Sequence, residues 1–173
     1  FAHAHAGIRP DVVTLAKALA NGVPIGACIA GGAATGVLGP GSHGTTFGGN
    51  PLATRAALAV LDVIEADGLA ERAATLGTRI REGFRDRLAG EPGVREIRGR
   101  GLMIGIELAH PCPQLVAQAL AAGLLINVTA GQVVRLLPPL IMSDAEADQL
   151  VSTLAPMILA MARETESPAV AGA

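Results

Sequence analysis

The chain has 173 residues, half of them hydrophobic, and a formal net charge of −2. Its apolar content is mostly Ala, Leu, Val and Ile; Phe1, Phe47 and Phe84 are the only aromatics, so base stacking has almost no support and the charge leaves no basic footprint for nucleic acid. The length suffices for one sizeable core or two small ones.

The opening F-A-H-A-H-A-G-I-R-P-D-V-V starts with Phe, shows no signal peptide and reads as the middle of a domain. The chain is therefore expected to be the C-terminal piece of a longer, cytoplasmic protein. His3 and His5 would share one face of a strand; even with His43 they have no further partner at ligand-like spacing, so no metal is expected. Asp11 to Leu15 is apolar and β-branched and predicts a buried strand, which delivers Lys17 to a turn.

Lys17 is the only lysine, against twelve arginines, and its nearest charged neighbours in sequence are Asp11 and Arg55. Apolar surroundings desolvate an ammonium and leave its amine as a nucleophile for a carbonyl; an arginine, which stays protonated, cannot take that part. A solvated lysine on a helix surface is the bland alternative, and the uncharged run argues against it.

From Ala18 to Thr54 there is no Asp, Glu, Lys or Arg, but Pro24, Pro40 and ten glycines interrupt the stretch too often for a membrane-spanning helix. Pro24 to Ala30 predicts a second apolar strand, and Gly31 to Asn50 a long glycine-rich loop of the kind that usually carries function. Within it, G-S-H-G-T-T-F-G-G-N-P allows close backbone approach to an anion. The Thr45 and Thr46 hydroxyls could meet phosphate oxygens beside a helix start at Pro51. A merely flexible loop fits the same residues.

Asn50-Pro51 is a helix start, and helical spacing continues to about Asp67. A second helix runs from Leu69 to about Leu88, followed by a turn at residues 90–93 that marks a domain boundary. Strands are predicted over residues 94–97, 102–108, 124–128 and 133–137, with a short helix over 113–122. Ser143 to Glu146 is a capping box opening a last helix to about Arg163. The expected architecture is α/β: the end of a larger domain over residues 1–87, a small α+β domain over 88–163, and a disordered tail over 164–173.

In V-V-R-L-L-P-P-L, Arg135 interrupts an apolar strand. A buried guanidinium needs an anion, either a ligand carboxylate held by two parallel hydrogen bonds or a sequence-distant Asp or Glu. Cys28 and Cys112 lack C-x-x-C spacing and read as buried, reduced thiols. G-R-G-L-M-I-G lacks the register of a dinucleotide fingerprint, so Arg100 reads as structural, and Ser42 sits in no nucleophile elbow.

Taken in order, T-L-A-K-A-L, V-P-I-G-A, G-S-H-G-T-T-F-G-G-N-P-L-A, G-R-G-L-M-I-G-I-E-L and R-L-L-P-P-L resemble the class III pyridoxal-phosphate-dependent aminotransferases, from Phe1 to about Met161. The likeness is greatest to members acting on N-acetylornithine in arginine biosynthesis. It implies fold type I, with a large domain built on a mostly parallel sheet, a small C-terminal domain, and a homodimer with a shared active site. Lys17 would hold pyridoxal 5'-phosphate and act as the catalytic residue, and Thr46 would bind the cofactor phosphate from the neighbouring subunit. Thr45 would touch the substrate, where the family more often has serine, and Arg135 would clamp the substrate α-carboxylate. The implied reaction moves the δ-amino group of N2-acetylornithine to 2-oxoglutarate. Ornithine, succinylornithine or 4-aminobutyrate are alternative donors, and a non-catalytic fragment is a further alternative. The family's glycine-threonine phosphate loop, ring-stacking aromatic and pyridinium-pairing acid lie upstream of a segment like this one. A chain without them is expected to bind the cofactor poorly.

Overall fold

The computed structural model describes residues 1–164. By packing, the chain forms two units, Phe1–Asp67 and Gly68–Ala173.

The first unit opens with α1 (Ala2–His5), where alternation predicts a strand under the two histidines. A helical turn forms instead: His3 stacks on Phe1 with ring centroids 5.9 Å apart, and its Nδ1 lies 3.3 Å from the Ile8 carbonyl oxygen. Residues two apart on a helix point apart, which removes the shared face. β1 (Val12–Leu15) pairs antiparallel with β2 (Ala27–Ala30), Val12 opposite Ala30 and Leu15 opposite Ala27. The strands form as predicted, but they are not buried: β1 alternates between exposed and half-buried, and Cys28 on β2 is exposed rather than a core thiol. Two strands alone have too few neighbours to cover both faces.

Helix α2 (Pro51–Ala66) completes this unit. Asn50 caps it, its Oδ1 accepting from the Ala53 amide at 2.9 Å, with Pro51 pre-set in the first turn. The helix packs on the 3₁₀ turn Lys17–Ala20, and Ala20, Ala53 and Ala57 are the buried hydrophobic residues among those described in this unit.

The second unit has a continuous core. Helix α3 (Leu69–Arg87) precedes β3 (Val94–Arg100) and β4 (Met103–Leu108); α4 (Gln114–Ala121) precedes β5 (Asn127–Thr129) and β6 (Val133–Leu136); α5 (Asp144–Glu164) follows. The strands order as β3-β4-β6-β5, every pairing antiparallel. The parallel strands expected of a large domain are therefore not among the described residues. Ile104, Ile106, Val134 and Leu136 line one face of the sheet and join Leu76, Ile80 and Phe84 of α3 with Leu154 and Ile158 of α5. Helix α3, which the turn at residues 90–93 groups with the first domain, packs its apolar face into this second core. Buried Cys112 fits the expected inert thiol, its pKa pushed up by desolvation so that the thiolate is disfavoured.

The capping box forms as the sequence spells it. The Ser143 amide donates to Glu146 Oε2 at 2.8 Å, and the Glu146 amide donates to Ser143 Oγ at 3.2 Å. Gly77 of α3 meets the turn between β3 and β4, where a Cβ would collide with the Gly101 carbonyl oxygen. Arg81 donates from Nη1 to that same carbonyl at 3.1 Å. The predicted tail falls outside the described residues from position 165 onward.

Candidate active site

Lys17 stands where β1 ends. Ala16 is still extended, and Lys17 then turns to φ +56°, the first residue of the 3₁₀ turn. An L-residue with a long side chain in the left-handed region costs about 1–2 kcal/mol, and such conformations gather at functional sites. The turn is locked by Asn21, also left-handed, whose amide donates to the Ala18 carbonyl at 3.0 Å, and by Ala20 beneath α2. The side chain of Lys17 is exposed, not enclosed by its apolar neighbours as the uncharged run predicts. Those neighbours form one short turn, which supplies too little surface to desolvate an amine.

The glycine-rich loop is held at both ends. At its start, Asp11 Oδ1 accepts from the Ala33 amide at 2.8 Å, and the Asp11 carbonyl accepts from the Gly31 amide at 2.7 Å. At its end, Asn50 Nδ2 donates to the Phe47 carbonyl at 2.9 Å while the same side chain caps α2. Thr45 packs its methyl where a Cβ on Gly48 would fall, so Gly48 leaves the space that this turn needs. The Thr45 and Thr46 side chains are exposed, and neither hydroxyl has a hydrogen-bond partner among the described residues. They also make no hydrogen bond with Lys17. Asp11 was not singled out by sequence; its signal is an acid immediately before an apolar strand, which helix and metal templates both overlook.

Arg135 lies on β6 in the second unit, opposite Gly105 on β4 and Asn127 on β5. It is half-buried and forms no salt bridge among the described residues; its Nε is buried with no partner. Among the described residues, no sequence-distant Asp or Glu takes the guanidinium. A buried N–H of a charged group without an acceptor costs roughly 1–3 kcal/mol, which an arriving carboxylate would recover.

In the first unit, one amine on a strained turn and two hydroxyls without partners among the described residues, beside a capped helix start, suit a phosphorylated carbonyl cofactor; in the second, a guanidinium with an orphaned donor suits a carboxylate. Among the described residues no group of His, Cys, Asp and Glu could hold a metal, and no helix is long and apolar enough to cross a membrane.

Comparison with known proteins agrees with this chemistry. Over 158 residues the chain is 61% identical to acetylornithine aminotransferase 1 of Bordetella pertussis, covering 91% of this chain and 40% of that protein. It is 52% identical over 160 residues to acetylornithine aminotransferase of Mycobacterium tuberculosis, covering 92% and 39%. The ornithine aminotransferase structure of Toxoplasma gondii superposes with a TM-score of 0.87 at 38% identity, over 95% of this chain and 40% of that one. The acetylornithine aminotransferase structure of Elizabethkingia anophelis does so with 0.83 at 34%, over 92% and 43%. A further Toxoplasma ornithine aminotransferase structure is described with partial occupancy of PLP at its active site. The chain thus spans about two fifths of the length of the relatives it matches. The family described as Aminotransferase class-III matches residues 1–158, and the chain belongs to it.

Proposed function

We propose that this chain is the part of a pyridoxal-phosphate-dependent aminotransferase that supplies the catalytic lysine and the carboxylate clamp. The reaction moves the δ-amino group of N-acetylornithine to 2-oxoglutarate, in arginine biosynthesis in the cytoplasm. The observation that carries this reading is the buried Nε of Arg135, without a partner among the described residues, in a chain that is 61% identical over 158 residues to an acetylornithine aminotransferase.

Pyridoxal phosphate, when bound, supplies an aldehyde for the amine and a ring that accepts electron density from the substrate carbon. Lys17 would hold it through Nζ, and the Thr46 hydroxyl, from the neighbouring subunit of a homodimer, would donate to its phosphate. Arg135 would give two parallel N–H bonds to the substrate α-carboxylate, which fixes the carbon to be deprotonated. Thr45 would touch the substrate. Once free, Nζ of Lys17 takes the proton from the amine-bearing carbon and returns it on the other side of the transfer as general acid–base. The amine is exposed in this chain, so its desolvation would come from surfaces beyond the 3₁₀ turn, as a shared dimer site would provide.

The test is Lys17→Ala in the complete protein. Multiple turnover should vanish, and borohydride should no longer fix pyridoxal phosphate to the protein; activity within about tenfold of the parent would reject the mechanism. Ornithine as donor is a second reading, favoured by the 0.87 TM-score to an ornithine aminotransferase. Product profiles with each amine separate the two. This chain on its own, mixed with pyridoxal phosphate, distinguishes a cofactor-competent piece from a non-catalytic one by its visible absorbance.

A further inference from the structure

Thr45 and Thr46, whose hydroxyls lack partners among the described residues, stand in a stretch with few anchors. Upstream, residues 39–42 close on themselves: the Ser42 amide donates to the Gly39 carbonyl at 3.1 Å, and the Gly39 amide donates to Ser42 Oγ at 3.1 Å. Downstream, the Phe47 carbonyl accepts twice from Asn50, from Nδ2 at 2.9 Å and from the backbone amide at 3.4 Å. Among the described residues, no other hydrogen bond ties residues 43–47 to the rest of the chain.

Asn50 is itself held from the helix side. Its Oδ1 accepts from the Ala53 amide at 2.9 Å, and its carbonyl accepts from the Thr54 amide at 3.1 Å and from Thr54 Oγ1 at 3.0 Å. One planar amide meets both demands, because its oxygen only accepts and its nitrogen only donates. A carboxylate or a hydroxyl at position 50 would cap α2 as well. The carboxylate, however, has no proton for the Phe47 carbonyl, and a serine oxygen stops one bond short of where Nδ2 lies.

The tie reaches Thr46 through its neighbours. Phe47 is bonded to Asn50, and the Thr45 methyl occupies the space where a Cβ on Gly48 would fall, inside the same turn. Gly49, at φ +69°, lets that turn close in a conformation that side-chain-bearing residues disfavour. Thr46 thus lies between two fixed residues, with its own hydroxyl uncommitted.

We infer that Asn50 is a positioning residue for the cofactor: with one amide it joins the Thr45–Phe47 stretch to the first turn of α2 and so fixes where the Thr46 hydroxyl meets a phosphate. The inference rests on the reading of Thr46 as a phosphate donor. It makes position 50 matter for the phosphate end of the cofactor and not for the aldehyde end, which Lys17 takes.

The experiment uses the complete protein, freed of pyridoxal phosphate and titrated with it, with unphosphorylated pyridoxal as the comparison ligand. Visible absorbance reads the affinity for pyridoxal phosphate, borohydride trapping reads how much pyridoxal is fixed on Lys17, and thermal melts read the fold. Asn50→Ser keeps a cap of similar quality, so Tm should stay within about 3 °C of the parent. Kd for pyridoxal phosphate should rise on the order of tenfold, while trapping of pyridoxal matches the parent. A purely structural role for Asn50 would lower Tm and weaken both ligands alike; that result, or an unchanged Kd for pyridoxal phosphate, overturns the inference. Thr46→Val reports on the underlying reading: an unchanged Kd there removes the phosphate contact and the inference together. A raised Kd there with a normal Asn50→Ser removes the inference alone. If Asn50→Ser does not fold, Asn50→Gly, which also serves at a helix start and lacks the donor, must show the same split between the two ligands, and any other pattern counts against the inference.

Discussion

At the level of single residues, two side chains are set by opposite means. Lys17 is placed by backbone, its left-handed φ and the turn that follows fixing where the amine starts. Asp148 is placed by charge: Arg79 donates from Nε to Oδ1 at 2.8 Å and from Nη2 to Oδ2 at 2.6 Å, a two-pronged pair joining α3 to α5. That hydrogen-bonded pairing holds the Asp148 carboxyl below its ordinary value. A folded-state value below the unfolded one adds stability that is present above the ordinary carboxylate range and lost as the pH falls through the folded value. Asp148→Asn should therefore lower Tm slightly at neutral pH and flatten its decline below about pH 4, read by thermal melts across that range. Parallel melting curves for parent and variant would count against the pairing. Lys17 could be singled out from sequence because rarity and an uncharged neighbourhood are visible in one dimension. Its exposure could not, since solvent access depends on which surfaces lie over a turn. The second bond of Asn50 escaped notice for a related reason: a cap is legible along the chain, whereas a bond back to Phe47 depends on how the turn closes.

Among elements, helices were the most legible part. Asn50-Pro51 and Ser143-Glu146 announce α2 and α5 because capping is satisfied within four residues, by groups adjacent in the chain. The short strands were found but mis-assigned as buried, since apolar β-branched runs look alike whether or not anything packs on them. The contact of α3 with the β3–β4 turn has no sequence signature beyond a glycine at each side. Gly77→Ala should cost about 1–3 kcal/mol, because backbone rather than a side-chain tip opposes the added methyl. Denaturant unfolding should show a lower midpoint with unchanged slope; a helix-stabilising gain, as alanine gives at an open site, would mean that the approach is looser. Pro156, inside α5, leaves the helix one amide donor short without ending it.

For the molecule as a whole, burial is divided very unevenly. The second unit encloses Phe84, Ile80, Ile106, Leu115, Leu154 and Ile158 almost completely, whereas the first buries only alanines among its described hydrophobic residues and exposes Phe47 by 80% and Leu52 by 74%. Exposed apolar groups on that scale mark surfaces meant to be covered by protein. In hydrogen exchange on this chain alone, α3, β4, β6 and the middle of α5 should be protected, while β1 and β2 exchange far sooner. Uniform protection across both units would contradict this division. The α/β class was readable from alternating strand and helix patterns. The position of the division was not, because α3 is amphipathic and either neighbour could have received its apolar stripe.

The carboxylate of Asp11 and the amide of Asn50 are the two feet of the glycine-rich span. With both footings fixed, the entropy of bringing its ends together is already spent, and the cost of extra residues in the middle rises only with the logarithm of length. The arch from Thr35 to Gly41 is thus free to vary in span while Thr45, Thr46, the strand pair and the helix it joins stay in place.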